Sequence, residues 1–190
     1  MNEVGSIDWH VDYPRSHLAI VSRHPVFPEI QARFTRYQIV LSLHPTDMAS
    51  SSLIVLIDPD SLDSGSAERD ARLKSAAFLD VGQFPRILFR SEHITAVASE
   101  FVQVDGYLTI RGITRRLMLD VQVKSTLEGR RFAFDTSHTI ARKDFGITWN
   151  THIAGVPLIG DLVTVEAHVE VASAPQRGLQ SDPHTFPEQP

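Results

Sequence analysis

The stretch LVTVEAHVEV, residues 162–171, alternates without a break. Val163, Val165, Ala167, Val169 and Val171 fall on one side; Thr164, Glu166, His168 and Glu170 fall on the other. A period of two is the pattern of an extended strand with one apolar and one polar face. Strands of that kind build antiparallel sheets with one side wet.

The same period recurs through the chain. Leu18, Ile20 and Ser22 share a face in LAIVS, as do Tyr37, Ile39, Leu41 and Leu43 in YQIVLSL. LIVLI aligns Leu53, Val55 and Ile57, and RILFR sets Ile87 and Phe89 against Arg86, Leu88 and Arg90. LMLDVQV aligns Leu117, Leu119, Val121 and Val123. About eight runs result, at 17–24, 30–44, 51–58, 85–96, 100–111, 115–127, 130–142 and 161–172. Turn chemistry punctuates them: His44-Pro45-Thr46-Asp47, Asp105-Gly106, Arg111-Gly112, Glu128-Gly129 and Ile159-Gly160-Asp161. One helix is expected near residues 67–79, capped by Ser66, with Glu68 in its first turn and Leu73, Ala76 and Ala77 at helical spacing.

Strands with a single apolar face must bury it, either between two sheets or inside one sheet closed on itself. Alternation alone fits both. An eight-stranded barrel has an interior filled by side chains or holding one ligand.

The bulk numbers narrow the function. With 190 residues, the chain forms one domain, taken as 1–172, followed by a disordered tail at 173–190 that is rich in Pro, Gln and Ser. Hydrophobic residues make up 42% and charged residues 22%, and the net charge is −5, which argues against a nucleic-acid partner. Arg115–Arg116 and Arg130–Arg131 read as solvated strand ends or turns. The absence of cysteine removes thiolate catalysis, Cys-ligated zinc and disulfides. No apolar run of 18 residues is present, so no membrane span is expected. The first residues show no secretory leader, so the direct reading is cytoplasmic, or periplasmic if a leader was removed before residue 1.

Four separated segments carry a family resemblance. They are IDPDSLDSGSAERDARLKSAAFLDVGQFPRILFRS (57–91), GYLTIRGITRRLMLDV (106–121), the set Ile140, Arg142, Asp144, Phe145 and Gly146, and LIGDLVTVEAHVEV (158–171). In this order they resemble the YceI-like proteins, lipocalin-like barrels that bind polyisoprenoid or related amphiphilic lipids. The resemblance runs from about Trp9 to Val171. It departs from the family near the N-terminus, where Arg15 replaces a usual His, Ile20 a Phe and Ala32 a Gly, while Ser16 and His24 match. The resemblance implies an all-β fold: a single antiparallel eight-stranded lipocalin-like β-barrel with one short helix.

It also implies that the inward side chains enclose a tunnel rather than fill a core. The expected ligand-binding set is Ile20, Phe34, Leu41, Val55, Phe78, Phe84, Ile87, Phe89, Leu108, Ile110, Phe134, His138, Ile140, Phe145, Trp149 and Val163. His138 shares parity with Phe134 and Ile140, which places it where it would hydrogen-bond a quinone or head-group oxygen; a satisfied interior histidine is the competing reading. Nine histidines show no HExxH and no H-x-H pair, so no metal site is expected. No serine has a nucleophile-elbow context, and no catalytic residue is assigned.

Two charged clusters need a role. Arg69, Asp70 and Lys74 either anchor an anionic head group or fasten the helix across one barrel mouth, and the sequence favours the fastening. Arg142 and Asp144 read as a brace at a barrel corner, with Trp149 either at the mouth or simply packed. The functional expectation is binding, storage or transport of an isoprenoid-type lipid, a quinone or polyprenyl chain, without catalysis and with no cofactor besides that ligand. The rivals are an enzyme or stress-response factor acting on an amphiphilic lipid, and a solid-core partner-binding module. A homodimer is left open.

Overall fold

In the computed structural model, which describes residues 9–23, 29–44, 47–126, 130–153, 156–157 and 159–173, the run that opened the analysis is the central strand of a curled sheet. Thirteen strands follow in chain order. They are β1 (Trp9–Val11), β2 (His17–Ser22), β3 (Ile30–Phe34), β4 (Tyr37–Ser42), β5 (Ser52–Ile57), β6 (Leu62–Asp63), β7 (Ile87–Ala98), β8 (Phe101–Ile110), β9 (Ile113–Thr126), β10 (Arg131–Ala141), β11 (His152–Ile153), β12 (Val156–Pro157) and β13 (Leu162–Ser173). The main sheet has the order β4-β5-β7-β8-β9-β10-β13-β2-β3-β6, with β1 paired to the end of β13. Its pairs are antiparallel throughout. β11 and β12 form a separate two-stranded ribbon.

The barrel therefore has ten strands on its path, not the eight expected. Two of the expected runs are each broken in two. Residues 30–44 bend at Thr35–Arg36, between β3 and β4, and the run that starts with β5 is interrupted by a 3-10 turn at Pro59–Ser61 before β6. Pro59 has no N–H to give a ladder, and the Asp58 side chain accepts from Asp60 N at 2.9 Å, which turns the chain. The two breaks lie opposite each other and are stitched together. Thr35 N donates to Ser61 O (3.2 Å), Asp58 N to Arg36 O (3.1 Å), and Arg36 N to Ser61 Oγ (2.9 Å). Because β3 continues directly into β4, the two ends of the sheet order belong to one extended segment, and the sheet closes on itself.

Two further expectations are corrected. The helix, α1, spans only Ala67–Lys74. Ser66 Oγ accepts from Arg69 N at its start, but at its end Ser75 turns extended and its hydroxyl donates to Arg72 O at 2.7 Å. Leu79 N and Val81 N then take the carbonyls of Leu73 and Lys74, so residues 75–79 form turns that satisfy the helix end. Asp105-Gly106 is no turn: it lies inside β8, where a Cβ at 106 would stand 2.9 Å from Phe89 Cζ. Glycine is there because the Phe89 ring and the backbone of Arg90 occupy that space.

Ser173 ends β13 and pairs with Trp9; residues 174–190 of the expected tail lie outside the described residues, as do His24, Pro45–Thr46 and the Glu128–Gly129 turn. Among the described residues no helix is long and apolar enough to cross a membrane.

Candidate functional site

The inward faces of the barrel do not meet at the centre. They enclose two apolar lobes stacked along the axis. The upper lobe, about 490 Å³, lies beneath α1; the lower lobe, about 170 Å³, lies toward the β4–β5 and β7–β8 hairpins. Five side chains from five strands line both: Phe34 of β3, Ile57 of β5, Leu108 of β8, Ile140 of β10 and Val165 of β13. They form a waist.

Fourteen of the sixteen expected residues line these lobes. Ile20, Phe78, Ile87, Ile110, Phe145 and Val163 line the upper one. Leu41, Val55, Phe89, Phe134 and His138 line the lower one, and Phe34, Leu108 and Ile140 stand at the waist. The other two are placed elsewhere. Phe84 packs beside Gly112 beneath the Arg111 guanidinium, 6.0 Å from its ring centre. Trp149 backs the wall from behind, 5.3 Å from the Phe78 ring and with the Arg72 guanidinium 5.6 Å above its own.

The structure adds lining residues that alternation alone did not supply. Ile94, only 4% exposed, lines the lower lobe because a bulge between Ser91 and His93 shifts the parity of β7 halfway along its length. Ile147 and Ile159 enter the upper lobe from irregular segments with no period to read.

Polar groups are few and sit in defined places. At the upper mouth Glu29, Arg69 and Arg72 join the lining. Arg69 makes no hydrogen bond or ion pair among the described residues, whereas Lys74 lies 3.8 Å from Asp60. Asp70 fastens the helix: its Oδ1 accepts from Ser64 N (2.9 Å) and Ser64 Oγ (2.5 Å). The hydrogen bond from the Ser64 hydroxyl is the main reason its carboxyl is held below the ordinary carboxylate range. The charged cluster thus divides, with Asp70 and Lys74 facing structure and Arg69 facing the cavity.

Arg142 is the brace at the corner after β10. Only 4% exposed, it donates from Nε to Gly160 O (2.9 Å) and from Nη1 to Ile147 O (2.7 Å) and Trp149 O (2.9 Å), while Nη2 reaches Asp161 (3.2 Å). Its guanidinium is spent on carbonyls that would otherwise be buried and unpaired. Lys143 donates to the other Asp161 oxygen at 2.6 Å, which lowers that carboxyl's pKa.

In the lower lobe three side chains carry hydrogen-bonding groups. Ser51 Oγ accepts from His44 N (3.0 Å), and Thr136 Oγ1 donates to Asp120 O (2.8 Å). His138 makes no hydrogen bond among the described residues and is half-buried against the lobe. Of the described histidines only His138 lines the cavity; His17 and His168 stack on the outer wall.

Comparison with known proteins agrees with this architecture. The family model for the YceI-like domain matches residues 9–171. A UPF0312 protein of Vibrio cholerae is 29% identical over 169 residues, covering 86% of each chain. One from Enterobacter sp. is 29% identical over 147 residues, covering 74% of this chain and 76% of the relative. Among solved structures, Burkholderia cenocepacia BcnA superposes with a TM-score of 0.75 at 23% identity, covering 85% of this chain and 99% of that one. A domain from Saccharophagus degradans, described as polyisoprenoid-binding and implicated in plant cell wall breakdown, superposes with a TM-score of 0.65 at 16% identity, covering 88% and 99%.

Proposed function

The chain belongs to the YceI-like domain family, and from that premise we propose that it binds the hydrocarbon chain of an isoprenoid-type lipid inside the barrel and holds it without chemical change. The observation that carries the reading is the upper lobe: about 490 Å³, walled by aliphatic and aromatic side chains from β2, β3, β7, β8, β10 and β13. That volume falls in the range of roughly 300–1,000 Å³ typical of small-molecule sites. Each methylene moved from water into such a wall is stabilised by about 0.8 kcal/mol. A long chain is therefore held without polar contacts along its length. The branched Ile and Val side chains suit the methyl-branched outline of a prenyl chain, and the polyisoprenoid description of the Saccharophagus degradans domain points the same way.

The test is direct. Protein purified without detergent is extracted with organic solvent and the extract is analysed by mass spectrometry. A prenyl lipid or quinone recovered in near-stoichiometric amount is the expected result. An empty extract, together with delipidated protein that fails to take up prenyl alcohols, would overturn the reading.

A further inference from the structure

The waist divides the interior unequally, and the only unsatisfied hydrogen-bonding side chain on the inner wall below it, among the described residues, is His138. An imidazole facing hydrocarbon without a partner is unfavourable, and a ligand oxygen relieves it. At the upper mouth the situation is reversed. Arg72 is exposed there, so a neutral oxygen placed beside it exchanges one hydrogen bond to water for another and gains little.

Resting on the lipid-holding reading above, we infer that the ligand enters head first: a compact ring bearing a hydroxyl or carbonyl oxygen seats in the lower lobe against His138, and the chain runs back through the waist into the upper lobe. Size supports the ring. The lower lobe, about 170 Å³, is comparable to the roughly 150 Å³ apolar cavity that accommodates benzene in an engineered protein. Its other lining is hydrocarbon, from residues such as Phe89, Val104 and Phe134, which suits the faces of a ring while the oxygen finds the histidine. His138 is then a specificity residue, selecting oxygenated heads over plain hydrocarbon. Its neighbours Ser51 and Thr136 are committed to backbone partners and contribute shape only.

Two probes of one shape separate the claims: 4-dodecylphenol and dodecylbenzene, titrated into delipidated full-length protein by calorimetry. Wild type is expected to prefer the phenol by about tenfold, the worth of one hydrogen bond in a sheltered site. His138→Leu should erase that preference while leaving dodecylbenzene affinity unchanged, and His138→Gln should restore part of it. On protein labelled with nitrogen-15 histidine, the phenol should shift the His138 ring resonances and dodecylbenzene should not. Equal wild-type affinity for the two probes, or phenol binding that leaves the His138 resonances unmoved, overturns the head-first inference and leaves lipid holding intact. Binding of neither probe overturns both. Should His138→Leu not fold, the wild-type comparison and the resonance shift still decide.

Discussion

The imidazole rings of His17 and His168 stack on the outer wall of the barrel, their centres 5.4 Å apart and their planes 26° from parallel. They are direct partners across the β2–β13 ladder. Burial is the main cause that lowers the His17 pKa, followed by positive charge on His168 and Arg33, against opposing carboxylates at Asp135 and Glu166. A histidine depressed in the folded state is protonated first in the unfolded chain as pH falls. Folding stability should therefore decline as pH drops through about 6.5 and be insensitive to His17 above about 7.5. Urea midpoints measured from pH 5 to 8 should lose part of their slope in His17→Gln. An unchanged slope would remove His17 as the source.

Gly106 predicts a packing failure. A methyl group there meets Phe89 Cζ at 2.9 Å and also the Arg90 carbonyl, a backbone atom that cannot swing away. Gly106→Ala should destabilise the fold by roughly 1–3 kcal/mol through overpacking. The urea midpoint reads the effect, and pairing the change with Phe89→Leu should relieve only the side-chain part of it.

These positions also mark how far the sequence could be read. Alternation placed the inward faces of β4, β5, β8, β9, β10 and β13 correctly, because along those strands each side chain simply follows the pleat. It failed where the ladder is interrupted. The bulge at Ser91–His93 needs a partner strand to be visible, so Ile94 was left out of the wall. The paired breaks at Thr35–Arg36 and Pro59–Ser61 depend on hydrogen bonds between residues about 25 apart, and only the fold shows that they raise the strand number to ten. Asp105-Gly106 has turn chemistry, yet the glycine answers a steric demand from the neighbouring strand. His138 was legible by parity; its lack of a partner was not.

Arg142 supplies the next expectation. Its guanidinium satisfies the carbonyls of Gly160, Ile147 and Trp149 from one buried position. Arg142→Leu keeps apolar bulk and leaves those acceptors unpaired, so a loss of about 3 kcal/mol or more is expected. Because Ile147 and Arg142 both line the upper lobe, the variant should also release bound lipid faster. Chemical denaturation and off-rates of a fluorescent fatty probe check the two effects separately. Lipid release unchanged in a destabilised variant would confine Arg142 to folding.

The waist yields the prediction most specific to the two-lobed interior. Leu108 is one of the five side chains shared by both lobes, and it projects from β8 toward Phe34, Ile57, Ile140 and Val165 on the other strands. A larger side chain there should close the lower lobe while leaving most of the 490 Å³ above it open. Leu108→Trp should therefore shorten the longest chain the protein binds, with short prenyl alcohols holding their wild-type affinity and long ones losing the methylenes that no longer fit. At about 0.8 kcal/mol per methylene, each excluded pair of carbons weakens binding by roughly tenfold or more. The measurement is a ladder of prenyl alcohols from two to eight units titrated into both proteins. A uniform loss at every length would mean that the substitution damages the whole cavity. Identical ladders would mean that ligands never cross the waist, since only a chain that spans both lobes can sense the partition between them.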